Sequence, residues 1–113
     1  MRISEIVTTL GIDIEVAQGS YADREVSTGY ASDLLSDVMA NAKAEGVLVT
    51  VQAHKNAVAV ASLVGLAAIV VCNHRPVPDD MVVSARAEGV AVFRTKETAF
   101  EVSGRLWAAL RRP

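Results

Sequence analysis

The chain has 113 residues, 51% of them hydrophobic and 21% charged, so it can bury one core and is too apolar to be disordered. A net charge of −2 and an aromatic content of 4% exclude the basic field and the stacking platforms of nucleic-acid binding proteins. Its single cysteine, Cys72, allows no intrachain disulfide, which fits a reducing cytoplasm. We therefore predict one cytoplasmic domain over residues 1–113, with no membrane span and no nucleic-acid partner.

The first elements follow from the spacing of apolar residues. Helical spacing predicts a helix over residues 3–10, with Ser4 as its cap. Alternation of apolar and acidic residues over 12–16 predicts a half-exposed strand. A polar loop over 18–24 and a second extended segment over 25–31 follow.

The middle of the chain alternates helical faces with apolar runs. A second helix is predicted from one apolar face made of Leu34, Leu35, Val38, Met39 and Ala42. The runs 47–51 and 68–71 lack alternation, which is typical of strands that are covered on both faces. Between these runs, residues 56–64 read NAVAVASLV and predict an almost wholly apolar helix.

The last third gives two further helices and one strand. Pro78 and the acids after it open a helix that Gly89 ends, and a strand over 90–93 follows. Thr98 caps a final helix, with core candidates Phe100, Val102, Leu106 and Leu110. The order α-β-β-α-β-α-β-α-β-α predicts an α/β domain with a mostly parallel sheet of about five strands.

Polar side chains gather between the second predicted strand and the apolar helix. Ligands of open α/β sheets bind beyond the carboxyl ends of strands, where helix N-termini offer free N–H groups to anions. We predict a site for a small anion, such as the phosphate of an adenine nucleotide. The candidate ligand-binding residues are Asp23, Arg24, Thr28, Gly29, Ser32, Asp33, Thr50, Gln52, His54 and Asn56. The alternative is that strand-end loops are polar because they face water.

Several of these residues have more than one interpretation. Arg24 either holds a phosphate or carboxylate in bidentate fashion or forms a loop ion pair with Asp23. Gly29 permits either a positive φ or a close backbone approach. Ser32 or Asp33 can cap the second helix.

A polar stripe is predicted on the second helix. Asp33, Asp37 and Asn41 recur at intervals of four residues, so a helix would place them on one side. The two carboxylates would share a cation, pair with Arg24 or face water. The third possibility is the ordinary one for a helix surface.

Catalytic and metal chemistry have weak support. His54, His74 and Cys72 lack a second pair of metal ligands, and Cys72 ends a buried strand, where a thiol is inert. The phosphate-loop, dinucleotide-binding and nucleophile-elbow motifs are absent. We therefore predict no catalytic residue, no metal and no cofactor. A small enzyme that uses Asp33, Asp37 or His54 is the minor alternative.

The apolar helix over 56–64 also bears on assembly. A helix that is apolar on every side must be buried on every side, either by neighbouring helices or by a second copy of the chain. We predict a homodimer with Val58, Ala61 and Ser62 at its interface.

Three ordered stretches resemble the DRTGG-domain family: DREVSTGY at 23–30, SDLLSDVMANA at 32–42 and TVQAHKNAVAVASLVGLAAIVV at 50–71. The resemblance runs from about residue 3 to residue 110. In the name-giving pattern Asp23 and Arg24 are present, and Ser27 stands for the threonine. Thr28 replaces the first glycine and Gly29 matches the second, so the backbone has less conformational freedom here than in the family pattern.

The resemblance implies a Rossmann-like three-layer α/β domain, similar to the N-terminal domain of HPr kinase/phosphorylase. Such domains also occur beside CBS domains in regulated pyrophosphatases and within some phosphotransacetylases, as regulatory and dimerising modules. The resemblance thus implies a homodimeric regulatory or sensor domain linked to redox or energy metabolism, since free-standing relatives accompany iron-only hydrogenases. A kinase activity is not implied, because the phosphate-binding loop is absent. The alternative function is an interaction module that docks on a metabolic or redox enzyme.

Overall fold

The structure, a computed structural model, describes residues 1–10, 14–16 and 23–111. The helices within these ranges are α1 (Ile3–Thr9), α2 (Leu35–Asn41), α3 (Lys55–Val64), α4 (Asp79–Glu88) and α5 (Ala99–Leu110). The strands are β1 (Ile14–Val16), β2 (Thr28–Ala31), β3 (Gly46–Thr50), β4 (Ala68–Val71) and β5 (Ala91–Thr95). The predicted Ile12 and the loop over 18–22 lie outside the described residues.

The five described strands form one sheet in the order β1-β5-β4-β3-β2. Strands β2 to β5 are parallel, and β1 pairs with β5 in the antiparallel direction at one edge. Because β2 to β5 lie in chain order, right-handed crossovers carry α2, α3 and α4 to the same face of the sheet. The mostly parallel α/β sheet predicted from the sequence is confirmed.

Two apolar clusters, one on each face of the sheet, make up the core. Val47 and Val49 point toward α1 and α5, whereas Leu48 between them points toward α2, α3 and α4. All five residues of β3 are buried, which explains why its sequence is continuously apolar instead of alternating. The fold is therefore the three-layer arrangement that the family resemblance implies.

The structure corrects two predicted helix caps. Ser4 lies inside α1, which begins after Arg2, and neither Ser32 nor Asp33 is the cap of α2, which begins after Leu34. Ser32 still contributes locally, because its hydroxyl accepts a hydrogen bond from the Leu34 N–H at 3.2 Å.

Other helix ends agree with the sequence. Thr98 caps α5 by accepting the Glu101 N–H, and Gly89 ends α4 at a φ of 67°. Gly65 ends α3 in the same left-handed conformation, at a φ of 88°. Glycine suits both ends because a side chain would strain this backbone conformation.

The prediction that Val58 and Ala61 face a second copy is wrong. Both are fully buried within one chain, since α2 and α4 flank α3 and the sheet lies beneath it. Ser62 is exposed, and its hydroxyl donates to the Glu88 carboxylate at 2.8 Å. Neighbouring helices therefore bury the apolar faces of α3.

Helix α5 buries Val102 and Leu106 as predicted, and Leu110 is partly buried. Phe100 is the exception, because 88% of its surface is exposed and it takes no part in the core. Among the described residues no helix is both long enough and apolar enough to cross a bilayer.

Candidate functional site

The candidate ligand residues lie at opposite ends of the strands. We call the end where the parallel strands begin the amino edge of the sheet, and the end where they finish the carboxyl edge. The first residue of β2, Thr28, pairs with the first residue of β3, and Ala31 pairs with Val49 near the carboxyl ends. Asp23 and Arg24 precede β2, whereas the candidates from Ser32 onward follow β2 and β3. Four residues of strand separate the groups by about 13 Å. The prediction of a single cluster is therefore wrong.

At the amino edge, Asp23 and Arg24 are engaged by the backbone. The Arg24 guanidinium donates to the carbonyl oxygens of Gly65 and Leu66, each at 3.0 Å. The Asp23 carboxylate accepts the Ser4 N–H at 3.0 Å and the Ser4 hydroxyl at 2.9 Å, and these bonds hold the pKa of Asp23 below its usual range. Both side chains therefore stabilise the packing of other segments of the chain through hydrogen bonds.

Gly29 lies in the middle of β2, on the side that faces α5. Its φ is not in the left-handed region. A Cβ at this position would lie 2.7 Å from Cδ2 of Leu106, closer than carbon atoms can approach. Of the two interpretations, the close approach of a neighbouring group is the one the structure supports.

At the carboxyl edge, the remaining candidates bond to one another. The Asp33 carboxylate accepts the Thr50 hydroxyl at 2.9 Å and the Val51 N–H at 2.8 Å. The Gln52 side-chain amide donates to the Asp33 carbonyl at 2.8 Å, and the Gln52 backbone N–H donates to the Thr50 hydroxyl at 3.1 Å. These bonds join the β2–α2 loop to the β3–α3 loop and place Gln52 just before α3.

The amino end of α3 is the most accessible part of this edge. The His54 side chain caps the helix, because its Nδ1 accepts the Asn56 N–H at 3.0 Å. His54, Lys55 and Asn56 are all exposed. We call Gln52, His54, Lys55 and Asn56 the α3 anion site. Lys55 is not among the sequence candidates, although a lysine in the first turn of a helix that lacks acidic residues there would have indicated it.

The polar stripe predicted on α2 is only partly present. Asp33 precedes the helix, whereas the Asp37 carboxylate accepts the Tyr30 hydroxyl at 2.9 Å and the Asn41 amide at 2.9 Å. The hydroxyls of Ser32 and then Tyr30 lower the pKa of Asp37, and the Asp37 carboxylate raises the pKa of Tyr30. Asp37 therefore stabilises the β2–α2 packing and does not pair with Arg24.

Hydrogen bonds join the loop that follows β4 to the end of β5 and the loop after it. The Asn73 and His74 N–H groups donate to the carbonyls of Glu97 and Thr95, at 2.9 and 2.8 Å. The Arg94 side chain donates to the carbonyls of His74 and Arg75, at 2.9 Å each. Within the described ranges no three potential metal-binding side chains come together.

Cys72 lies at the buried end of β4, and no part of its surface is exposed. Desolvation raises the pKa of its thiol to about 11. The thiol also donates weakly to the Val70 carbonyl at 3.8 Å. These are the properties of a packing residue.

A groove of about 240 Å³ lies between β2 and α5. Its floor includes Gly29 and Ala31, and its opposite wall includes Trp107 and Arg111. Trp107 is 63% exposed, and the Arg111 guanidinium lies 3.5 Å from the centroid of its ring. We call this the β2–α5 groove.

Of the residues that line the β2–α5 groove, the sequence candidates included Thr28 and Gly29 but no residue of α5. A signal was present, because Phe100, Ser103 and Trp107 recur at intervals of three and four residues and so share a face of α5. The buried residues Val102 and Leu106 define a different face.

Comparisons with known proteins give a fold relationship. No family model and no curated protein sequence matches the chain. A solved regulatory region of a Clostridium perfringens pyrophosphatase, containing CBS and DRTGG domains in complex with the activator diadenosine tetraphosphate, has a similar fold. The TM-score is 0.69 at 10% identity, and the match covers 92% of this chain and 45% of that chain. At this identity the likeness shows the fold alone.

Proposed function

We propose that this chain is a non-catalytic regulatory domain of the DRTGG type that binds a small anionic ligand, an adenine nucleotide, at the α3 anion site. The observation that carries the proposal is the charge distribution at the helix N-termini. Of the five helices that the structure describes, α3 is the one with no acidic residue in its first turn.

Competing helix ends are poor anion sites. Asp79 and Asp80 occupy the first turn of α4, and Glu101 occupies that of α5, so carboxylates already neutralise the positive ends of both helix dipoles. Helix α3 instead offers the exposed Lys55 ammonium at its N-terminus, where His54 Nδ1 accepts the Asn56 N–H. A phosphate would be attracted there by both the dipole and the lysine.

The arginines near the candidate residues are less suited to this role. Arg24 donates to two carbonyls at the opposite edge of the sheet, and Arg94 donates to the carbonyls of the β4–α4 loop. A recess near the amino end of β2 is lined by Glu45 and by Glu25, which pairs with the Met1 ammonium, so its net charge is negative and would repel an anion. The nucleotide activator of the structurally similar pyrophosphatase region is consistent with a ligand of this class.

Isothermal titration with ATP, ADP and adenosine tests the proposal. We expect ATP and ADP to bind and adenosine to bind far more weakly, because the phosphate supplies the contact with α3. At a ligand concentration of one hundred times the dissociation constant, the free energy of unfolding should rise by about 2.7 kcal/mol.

Two lysine variants separate the α3 anion site from general charge effects. Lys55→Ala should weaken ADP binding about tenfold, whereas Lys96→Ala, an exposed lysine after β5, should leave it within twofold. Equal affinity in both variants, or no binding of any adenine nucleotide to the folded protein, would refute the proposal.

Homodimerisation is the second part of the proposal. Because Val58 and Ala61 are buried, the contact would use the outer side of α3, where Ser62 is exposed and Leu63 is 75% exposed. Sedimentation velocity at micromolar concentration should then give a 24 kDa species from the 12.0 kDa chain, twice the chain mass. A single 12.0 kDa species would contradict this part alone.

A second candidate function is docking on a metabolic or redox enzyme. The specific observation in its favour is the exposure of two large aromatic side chains, Phe100 and Trp107, on one face of α5. Exposed aromatic side chains are enriched at protein interfaces because they bury much area at low entropic cost. A purified candidate enzyme that co-elutes stoichiometrically with the chain would support it, whether or not nucleotide binds.

A further inference from the structure

The outer edge of β2 is unpaired within the described part of the chain. The Val49 carbonyl accepts the Ser32 N–H, whereas the Gly46 carbonyl accepts the Ala67 N–H on the opposite side of β3. Backbone groups of a strand alternate in direction, so Thr28 and Tyr30 face β3. Gly29 and Ala31 therefore direct their N–H and C=O groups away from the sheet, toward its open edge.

This edge carries no proline, charged residue or bulge, which are three of the features that block strand addition. Natural edge strands carry proline, lysine or a bulge that prevents pairing with another chain. β2 reads TGYA and pairs with β3 without interruption, and none of its four residues is charged. A further strand thus meets no obstacle within β2 itself.

The β2–α5 groove lies on the α5 side of this open edge. Leu106 leaves no room for a side chain directly above Gly29, so a side chain that enters from the edge would occupy the part of the groove lined by Ala31, Trp107 and Arg111. At about 240 Å³ the groove is smaller than the roughly 300–1,000 Å³ of typical small-molecule pockets. It suits one bulky side chain more than a whole nucleotide.

The charge of the groove wall indicates what charge the occupant should carry. Arg111 is the only charged residue among those that line the groove. In the described ranges no carboxylate pairs with Arg111, whose guanidinium instead stacks on Trp107. A carboxylate on the occupant would therefore find an uncompensated cation at the groove wall.

We propose that the β2–α5 groove binds an extended segment of a partner protein, which adds to β2 as a further strand, places one bulky apolar side chain against Trp107 and sets an acidic residue near Arg111. Strand addition supplies affinity through backbone hydrogen bonds, and the groove supplies specificity. This inference develops the docking candidate above and does not depend on the nucleotide site.

A second copy of the chain fits this groove less well. If two β2 strands paired in antiparallel fashion in one continuous sheet, the added strand would present only its own Gly29 and Ala31 on the α5 side. Neither side chain is large enough to occupy the space beside Trp107. A foreign segment with a leucine, phenylalanine or tryptophan at that position fills it.

Selection from a displayed library of twelve-residue peptides on the purified full chain supplies the probe. The enriched peptides should alternate apolar and polar residues around one bulky apolar residue, with an acidic residue nearby. Trp107 is the single tryptophan of the chain, so its fluorescence reports on the groove directly. Binding of a labelled peptide should shift the Trp107 emission to shorter wavelength.

Variants locate the binding surface. Trp107→Ala and Ala31→Pro should each weaken the peptide more than tenfold, the first by removing the wall and the second by removing an outward N–H. Val83→Ala changes an equally exposed apolar residue, on α4 at the opposite face of the sheet, and should change affinity less than twofold. Circular dichroism verifies folding, and Trp107→Ala suffices if the proline variant does not fold.

Three results would overturn the proposal. The first is a library from which no peptide is enriched. The second is a peptide that binds without shifting the Trp107 emission and binds Trp107→Ala normally, because docking would then use a surface other than the β2–α5 groove. The third is a wild-type dimer in sedimentation that Trp107→Ala dissociates, because the groove would then belong to a second copy.

Discussion

The two edges of the sheet use similar polar residues for different purposes. At the amino edge, the Arg24 guanidinium and the Asp23 carboxylate bond to carbonyl and N–H groups of distant segments. At the carboxyl edge, Asp33 and Gln52 hold two loops together, while Lys55 and Asn56 remain exposed at the start of α3. A charged residue in a loop thus indicates a ligand site only after its protein partners are known.

The largest effect that distinguishes the two edges should come from Arg24→Ala. The variant leaves the Gly65 and Leu66 carbonyls without their donors, so we expect the free energy of unfolding to fall by about 2–3 kcal/mol. The melting temperature should fall by roughly 10 °C. Urea denaturation measures the change, and Arg86→Ala, an exposed arginine on α4, should stay within about 0.5 kcal/mol of wild type.

If Arg24 instead serves a ligand, the outcome differs. Stability without ligand would then be unchanged, and nucleotide affinity would fall. This result would reverse the assignment of the amino edge as structural.

Asp33→Ala should have the next largest effect. It removes the acceptor of the buried Thr50 hydroxyl and of the Val51 N–H, at a cost of about 2 kcal/mol. Asp33→Asn keeps an oxygen acceptor and should cost less. Equal losses in the two variants would show that the charge, and not the acceptor geometry, holds the loops together.

A smaller effect should appear in the pH dependence of stability. Hydrogen bonds from Ser4 lower the pKa of Asp23 in the folded chain, so the stability it contributes is present above the unfolded pKa of about 3.9. That contribution is lost as the pH falls through the folded pKa. Urea midpoints at pH 7, 5, 3 and 2 should show Asp23→Asn approaching wild type at the acid end. A constant difference at every pH would argue against the ionised carboxylate.

The smallest effect concerns Cys72. With a pKa of about 11, roughly one thiol in a thousand is ionised at pH 8, and the side chain is buried. A thiol reagent such as dithionitrobenzoate should therefore react slowly with the native chain and rapidly in denaturant. Rapid reaction of the folded protein would show that the carboxyl end of β4 opens.

The sequence predicts most of the fold because the strands are buried on both faces. Continuous apolar runs such as 47–51 and 68–71 are unambiguous, and the α/β alternation leaves few topologies. Helix ends were predicted well where glycine takes a left-handed conformation. They were predicted poorly where Ser4 and Asp33 bond to distant groups, and where Ser32 bonds to Leu34, the residue that precedes α2.

The candidate site was harder to predict, for a physical reason. Residues that are near in sequence lie at opposite ends of β2, because an extended strand moves the chain about 3.3 Å per residue. Arg24 looks like a ligand group in sequence, since its acceptors are carbonyls about forty residues away that leave no sequence signal. Phe100 looks like core because hydrophobicity alone does not reveal which face of α5 is covered.

The chain-ordered arrangement of β2 to β5 has a consequence for how the molecule assembles. Each of these strands docks on the one that precedes it, so this part of the sheet is able to grow stepwise from contacts that are short-range in sequence. β1 must instead wait for β5, since Ile14 pairs with Thr95, and Arg105 of α5 bonds to the Leu10 carbonyl after α1. β1 should thus join the sheet last and leave it first, which makes its amide protons the earliest of the sheet to exchange with deuterium.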